Sequence, residues 1–145
     1  MAGGPTTAQR IERVIRAYVK ALNDGYADGI AACFCKDAVH YFPATPKISG
    51  ATALGVHHTN LTRGREVCWT VDQMLVDVDR CEAVLEWTRF DHNGPRYLRG
   101  VNWFVLEPDT FQLREVRCYW AAASNPDLAR QELQDFDYPK RGYPI

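Results

Sequence analysis

The sequence has no surplus of charge of either sign, no long apolar run and no internal repeat. Among its 145 residues, 17 Lys and Arg face 18 Asp and Glu, a net charge of −1 at pH 7. Phosphate binding by bulk charge needs a clustered positive surplus, so no nucleic-acid partner is expected. The longest uninterrupted apolar stretch, Gly29–Cys35, falls far short of the ~20 residues that cross a bilayer. The first residues, Met-Ala-Gly-Gly-Pro-Thr-Thr, lack the charged and apolar regions of a secretory signal. Cys33, Cys35, Cys68, Cys81 and Cys118 make an odd set without such a signal, which reads as reduced thiols in a cytoplasmic protein. Cys33 and Cys35 are one residue apart, not the two of redox or zinc sites, and no second Cys/His pair matches them. No metal is therefore expected. The five cysteines read instead as small apolar side chains. No Gly-rich phosphate loop occurs, so no nucleotide cofactor is expected, nor any other. No Ser or Cys stands in a nucleophile elbow.

What is present is enough apolar sequence for one domain: 46% hydrophobic and 12% aromatic residues, well above the level of disordered chains. Ile11, Val14, Ile15, Tyr18, Val19 and Leu22 recur at helical spacing, which predicts a helix from Thr7 to Asn23 with Thr7 as N-cap and Gly25 as stop. A short helix follows over Ala27–Phe34. Val39-His40-Tyr41-Phe42 is β-prone and is stopped by Pro43 and Pro46. Gly50–Arg63 reads as a third helix with the stripe Ala51, Leu54, His58 and Leu61. This turns His58 inward and leaves His57 about 100° away, toward solvent. Four strands are then expected at Cys68–Val78, Glu82–Asp91, Arg96–Leu106 and Leu113–Trp120, separated by turn chemistry at 79–80, 92–95 and 108–109. A short helix over Asp127–Gln134 and an aromatic, Pro-rich tail complete the chain.

Helices grouped on one face of a curved antiparallel meander define an α+β fold, a cone whose interior leaves a pocket. The expected organisation is a leader over 1–7, the cone domain over 8–121, and a C-terminal segment over 122–145 that packs on the domain or on a partner subunit.

The order and local text resemble the nuclear transport factor 2-like superfamily, also called SnoaL-like or ketosteroid-isomerase-like. Ala17-Tyr18 through Asn23-Asp24-Gly25 is similar to its first helix and stop. Phe34-Cys35-Lys36-Asp37-Ala38-Val39 is similar to its F-x-x-D-A-V lead into the first strand, and Leu113–Trp120 to its closing strand. The resemblance implies a cone-shaped α+β barrel. It sets no single reaction, because the superfamily includes isomerases, dehydratases, cyclases, epoxide hydrolases and non-catalytic binding domains. Arg89-Phe90-Asp91 resembles the Arg-x-Asp pair of limonene epoxide hydrolase-like members. Their second, last-strand Asp corresponds to Cys118 here, their first-strand tyrosine to His40 and their asparagine to Phe42. Counting from Glu86 places the pair at Trp87 and Arg89 instead.

The residues themselves carry a parallel argument. Alternation along Glu82–Asp91 puts Leu85, Trp87, Arg89 and Asp91 on one face. A carboxylate beside an arginine at a cavity rim serves as acid or base; an exposed Asp opening a turn is the plainer alternative. His40 and His58, on two elements lining one cone, are candidate proton shuttles or else core histidines bonded to backbone carbonyls. The expected catalytic set is Asp91, His40, His58 and Arg89. The expected binding set is Trp87, Asn102, Trp120, Tyr18, Phe42, Leu61 and Cys118. Glu86 and Arg99 read as a cross-strand ion pair on the outer face. Trp103, Tyr119 and Val101 make that face apolar enough for a homodimer. The expected function is cofactor-free acid/base chemistry of lyase, dehydratase or isomerase type on a small, largely apolar molecule. The alternatives are an epoxide hydrolase-like enzyme and a non-catalytic ligand-binding or dimerisation module.

Overall fold

A computed structural model of the chain describes residues 3–43, 45–64, 66–92, 97–120, 135–137 and 139–142. The first helix, α1, spans Thr7–Asp24 and buries Ile11, Ile15, Tyr18, Val19 and Leu22 along one stripe. Its N-cap is Thr6, not Thr7. The Thr6 hydroxyl accepts from the Gln9 amide at 3.2 Å, and the Gln9 side chain accepts from the Thr6 amide at 2.8 Å. That reciprocal pair is a capping box, with Gln as its third-position acceptor. Gly25 ends the helix in the left-handed region at φ 62°.

Helix α2 (Ala27–Ala32) stops short of Phe34, because Phe34 already pairs with Leu113 in the sheet. Strand β1 therefore runs Phe34–Phe42, longer than its four-residue apolar core. After Pro43 comes an unexpected strand, β2 (Thr45–Ser49), antiparallel to β1. It lies at the sheet edge, where Pro46 is tolerated because the edge asks for no complete ladder. Helix α3 (Ala51–Thr62) follows. Strands β3 (Val67–Asp77), β4 (Glu82–Asp91), β5 (Tyr97–Leu106) and β6 (Leu113–Trp120) form the expected meander.

The six strands make one sheet in the order β2-β1-β6-β5-β4-β3. Every pairing is antiparallel except β1 with β6. Three helices pack against this sheet, so the fold is α+β. Ile11, Ile15, Ile30, Phe34, Leu54, Leu85, Phe104 and Val116 join helices and sheet in one core. On the outer face the expected Glu86–Arg99 pair is present at 2.9 Å. A bulge between Val71 and Gln73 leaves Asp72 as an extra residue. Its carboxylate accepts from the Thr70 and Thr88 hydroxyls, at 2.5 Å each.

Cys81 and Cys118 are buried, the other three cysteines are half-buried, and none is in a disulfide. Among the described residues no helix is long and apolar enough to cross a membrane. The expected helix at 127–134 lies outside the described residues. Further on, Phe136 packs its ring against Tyr41 at 5.1 Å, and Arg141 pairs with Glu115.

Candidate functional site

A cavity of about 530 Å³ opens between the helices and the inner face of the sheet. Strand alternation delivers its far wall: Leu85, Trp87 and Arg89 from β4, Leu98 and Asn102 from β5, Cys118 and Trp120 from β6. Helix α1 contributes Tyr18 and Val19 and, one turn on, Leu22. His40 and Phe42 come from β1, and Trp69 from β3. Exposed residues of β2, Thr45 to Lys47, and Leu61 of α3 border the opening.

Trp87 is held flat against its neighbour strand by an absence. It pairs with Gly100, where a Cβ would fall 2.3 Å from the Trp87 ring and 2.6 Å from the Tyr119 carbonyl oxygen. With the ring there, Trp87 Nε1 donates to Asn102 Oδ1 at 3.0 Å. This bond fixes which way the amide faces, because an indole N–H can only donate. Asn102 Nδ2 is left as a donor for the cavity.

His58 is buried and committed at both nitrogens. Its Nδ1 lies 2.8 Å from the Leu54 carbonyl oxygen, which only accepts, so Nδ1 carries the proton. Its Nε2 then accepts from the Tyr18 hydroxyl at 3.0 Å. Burial pushes the His58 imidazole down to about 4, against the pull of the Leu54 carbonyl, so the ring is neutral near pH 7. Burial likewise pushes the Tyr18 phenol up, keeping it a donor.

His40 differs. Its Nδ1 donates to the Tyr41 carbonyl at 3.2 Å, and its ring stacks on Phe42 with centroids 4.0 Å apart. Burial is the main cause that holds it well below the ordinary histidine range, with nearby His58 and His57 adding to the effect and the Tyr41 carbonyl opposing it. The Nε2 lone pair has no partner among the described residues. His40 is thus a neutral ring with one free acceptor in the cavity wall.

Arg89 supplies a half-buried cation. Its guanidinium lies 6.0 Å from the Trp69 ring, and its Nε is shut off from solvent with no acceptor among the described residues. No described carboxylate lies within ion-pair distance of it. No Asp or Glu belongs to the described cavity wall at all.

The structure thus brings His40, His58 and Arg89 together with Tyr18, Phe42, Leu61, Trp87, Asn102, Cys118 and Trp120. It does not bring Asp91 to them. Asp91 shares the face of Arg89 by parity, but it pairs with Val67 at the strand end, two residues beyond the cavity wall. At ~3.3 Å per residue that displaces it by roughly 7 Å. His57 is the opposite correction: expected in solvent, it is half-buried in the wall, with its ring 5.1 Å from Phe42. Helix α3 edges the cavity, so a wider arc than its apolar stripe meets the interior. Trp69 also lines the cavity, although it was not in the expected binding set. Its alternation with Val71 along β3 was the available signal. Cys118 holds the last-strand position as a buried thiol, and burial pushes its pKa up, so it supplies no charge.

This architecture has relatives. The SnoaL-like domain profile matches residues 15–111, and the chain belongs to that family, with the nuclear transport factor 2-like fold. It is similar to a protein of unknown function with a cystatin-like fold from Methylobium petroleophilum, at 33% identity and TM-score 0.86, covering 95% of this chain and 93% of that one. A protein from Kribbella flavida assigned as a ketosteroid isomerase shares the fold at 20% identity and TM-score 0.69, covering 83% and 84%. So does an epoxide hydrolase/cyclase-like enzyme of pyran ring formation in the polyether salinomycin, at 19% identity and TM-score 0.66, covering 78% and 92%. Comparison with curated proteins gave no match.

Proposed function

We propose that the chain is a cofactor-independent enzyme of isomerase, lyase or dehydratase type, acting on a small, largely apolar carbonyl compound. The observation that carries this reading is the His40 ring: neutral, stacked on Phe42, with an unpartnered Nε2 in the wall of an apolar cavity. Such a nitrogen takes a proton from a carbon acid. The C–H electron pair moves toward the carbonyl oxygen, where Asn102 Nδ2 is free to donate to the developing negative charge. The imidazolium then returns its proton to another carbon, which isomerises the substrate. Alternatively it protonates a departing hydroxyl, which eliminates water. His58 is a positioning residue in this scheme, since both its nitrogens are occupied and it orients Tyr18.

The epoxide hydrolase-like alternative asks for carboxylates to activate water. The described cavity wall has none, and Cys118 stands at the second acidic position. The isomerase and cyclase relatives support the enzyme reading over a passive binder only through the shared fold.

The test is a panel of apolar ketones, enones and β-hydroxy carbonyl compounds, followed by mass spectrometry and chromatography for isomerised or dehydrated product. Product formed by the wild type and lost in His40→Ala, with circular dichroism unchanged, supports the proposal. Binding without turnover of any compound identifies a carrier instead.

A further inference from the structure

We infer that the ligand of this cavity is an organic acid, an apolar body bearing a carboxylate that Arg89 holds. The inference rests on the reading of the cavity as the reaction site, but it concerns what is bound rather than what is done to it.

Arg89 is the starting point. An arginine on the inner face of a sheet ordinarily meets an acidic side chain, because a guanidinium removed from water needs a compensating charge. Here the side chain is half-buried, no described carboxylate lies within ion-pair distance, and the buried Nε finds no acceptor among the described residues. The contact with Trp69, at 6.0 Å from the ring, offers a flat apolar neighbour but accepts no hydrogen bond of the usual kind.

The other polar groups agree in sign. Trp87 holds Asn102 Oδ1, so Asn102 presents only N–H bonds to the cavity. Lys47 adds a second cation near the opening. His40 Nε2 is a buried acceptor without a partner among the described residues, and it is the proposed base; the half-buried His57 ring also lines the wall. A cavity furnished with donors and cations, and otherwise lined by Leu, Phe and Trp, matches a ligand that is apolar over most of its surface and rich in acceptors at one end. A planar carboxylate answers the fork of a guanidinium with two parallel bonds, which a hydroxyl or a ketone does not. The same charge would favour the imidazolium that forms on His40 during turnover.

Calorimetric titration with two probes of matched shape tests this: naphthaleneacetate and its neutral counterpart naphthaleneethanol. The wild type should bind the acid about 10–100-fold more tightly than the alcohol, the range of a charge-assisted hydrogen bond. Arg89→Met should lose that preference while still binding the alcohol, which also shows that the variant folds. Arg89→Lys should restore part of it, because a point charge replaces a fork. Equal affinity of the wild type for both probes overturns the inference, as does a preference that survives in Arg89→Met. Failure of both probes to bind overturns it together with the cavity reading. Acid-selective binding by a protein that turns over no acid leaves it standing and removes the enzyme reading alone.

Discussion

His40 and His58 differ by one hydrogen bond, and the roles proposed for them rest on that difference. Both donate from Nδ1 to a backbone carbonyl, but only His58 has its Nε2 occupied, by Tyr18. The sequence located both rings on inward faces; it could not show which lone pair remained free, because that depends on a helix forty residues away. Nor could it place Asp91, since strand parity tells which face a residue occupies but not how far along the strand a cavity extends. The buried neutral state of His58 has a consequence for stability. Its imidazole sits at about 4 in the folded protein against 6.5 as the ordinary value. Above pH 6.5 neither state is protonated and the protein keeps its full stability. As pH falls below 6.5 the unfolded chain takes up the proton first, so stability declines until the folded ring also protonates near 4. The loss is on the order of 3 kcal/mol. Urea unfolding at pH 7.5 and 4.5 should show it, and the double variant Tyr18→Phe/His58→Leu should have a shallower decline. An equal decline in both proteins would refute the assignment.

At the scale of elements, β4 and β5 matter most, because their pairing sets the cavity's far wall. Their course was legible: turn residues flank them, and the bounds Glu82–Asp91 follow directly from the alternation. Strand β2 was not legible, because Pro43 and Pro46 argue against a strand, and only pairing to β1 at an edge overrides that local preference. The capping box on α1 was legible as Thr6-x-x-Gln9; taking Thr7 as the cap passed over it, and the two Thr6–Gln9 bonds decide. The β4–β5 pair also carries a sharp steric demand at Gly100. Gly100→Ala puts a methyl within 2.3 Å of the Trp87 ring, so the indole must leave its place against Asn102. We expect a loss of roughly 1–3 kcal/mol, the usual range for overpacking, with a changed near-ultraviolet dichroism of the tryptophans. Unchanged spectra and stability would show that Trp87 does not depend on that glycine.

For the whole molecule, the sheet has two unlike faces. The inner face holds the cavity; the outer face mixes ion pairs with half-exposed aromatic rings, Trp103 at 36% and Tyr119 at 45% of full exposure. Trp103 donates to Glu82 at 2.9 Å and lies beneath Arg117, so its ring is held in place on the surface. We propose that a second copy of the chain covers both rings. Light scattering at micromolar concentration should give twice the chain mass, and Trp103→Glu should shift it toward the monomer; a wild-type monomer at all concentrations would count against the proposal. The account as a whole stands on His40 as the base of a cavity whose described wall holds no carboxylate. Its most direct test is solvent deuterium incorporation at a carbon next to the carbonyl of a bound keto acid, read by proton NMR in the wild type, His40→Gln and Asp91→Asn. The account predicts exchange in the wild type and in Asp91→Asn, and a fall of about 10²–10⁴-fold in His40→Gln. Exchange that survives in His40→Gln and vanishes in Asp91→Asn would contradict it.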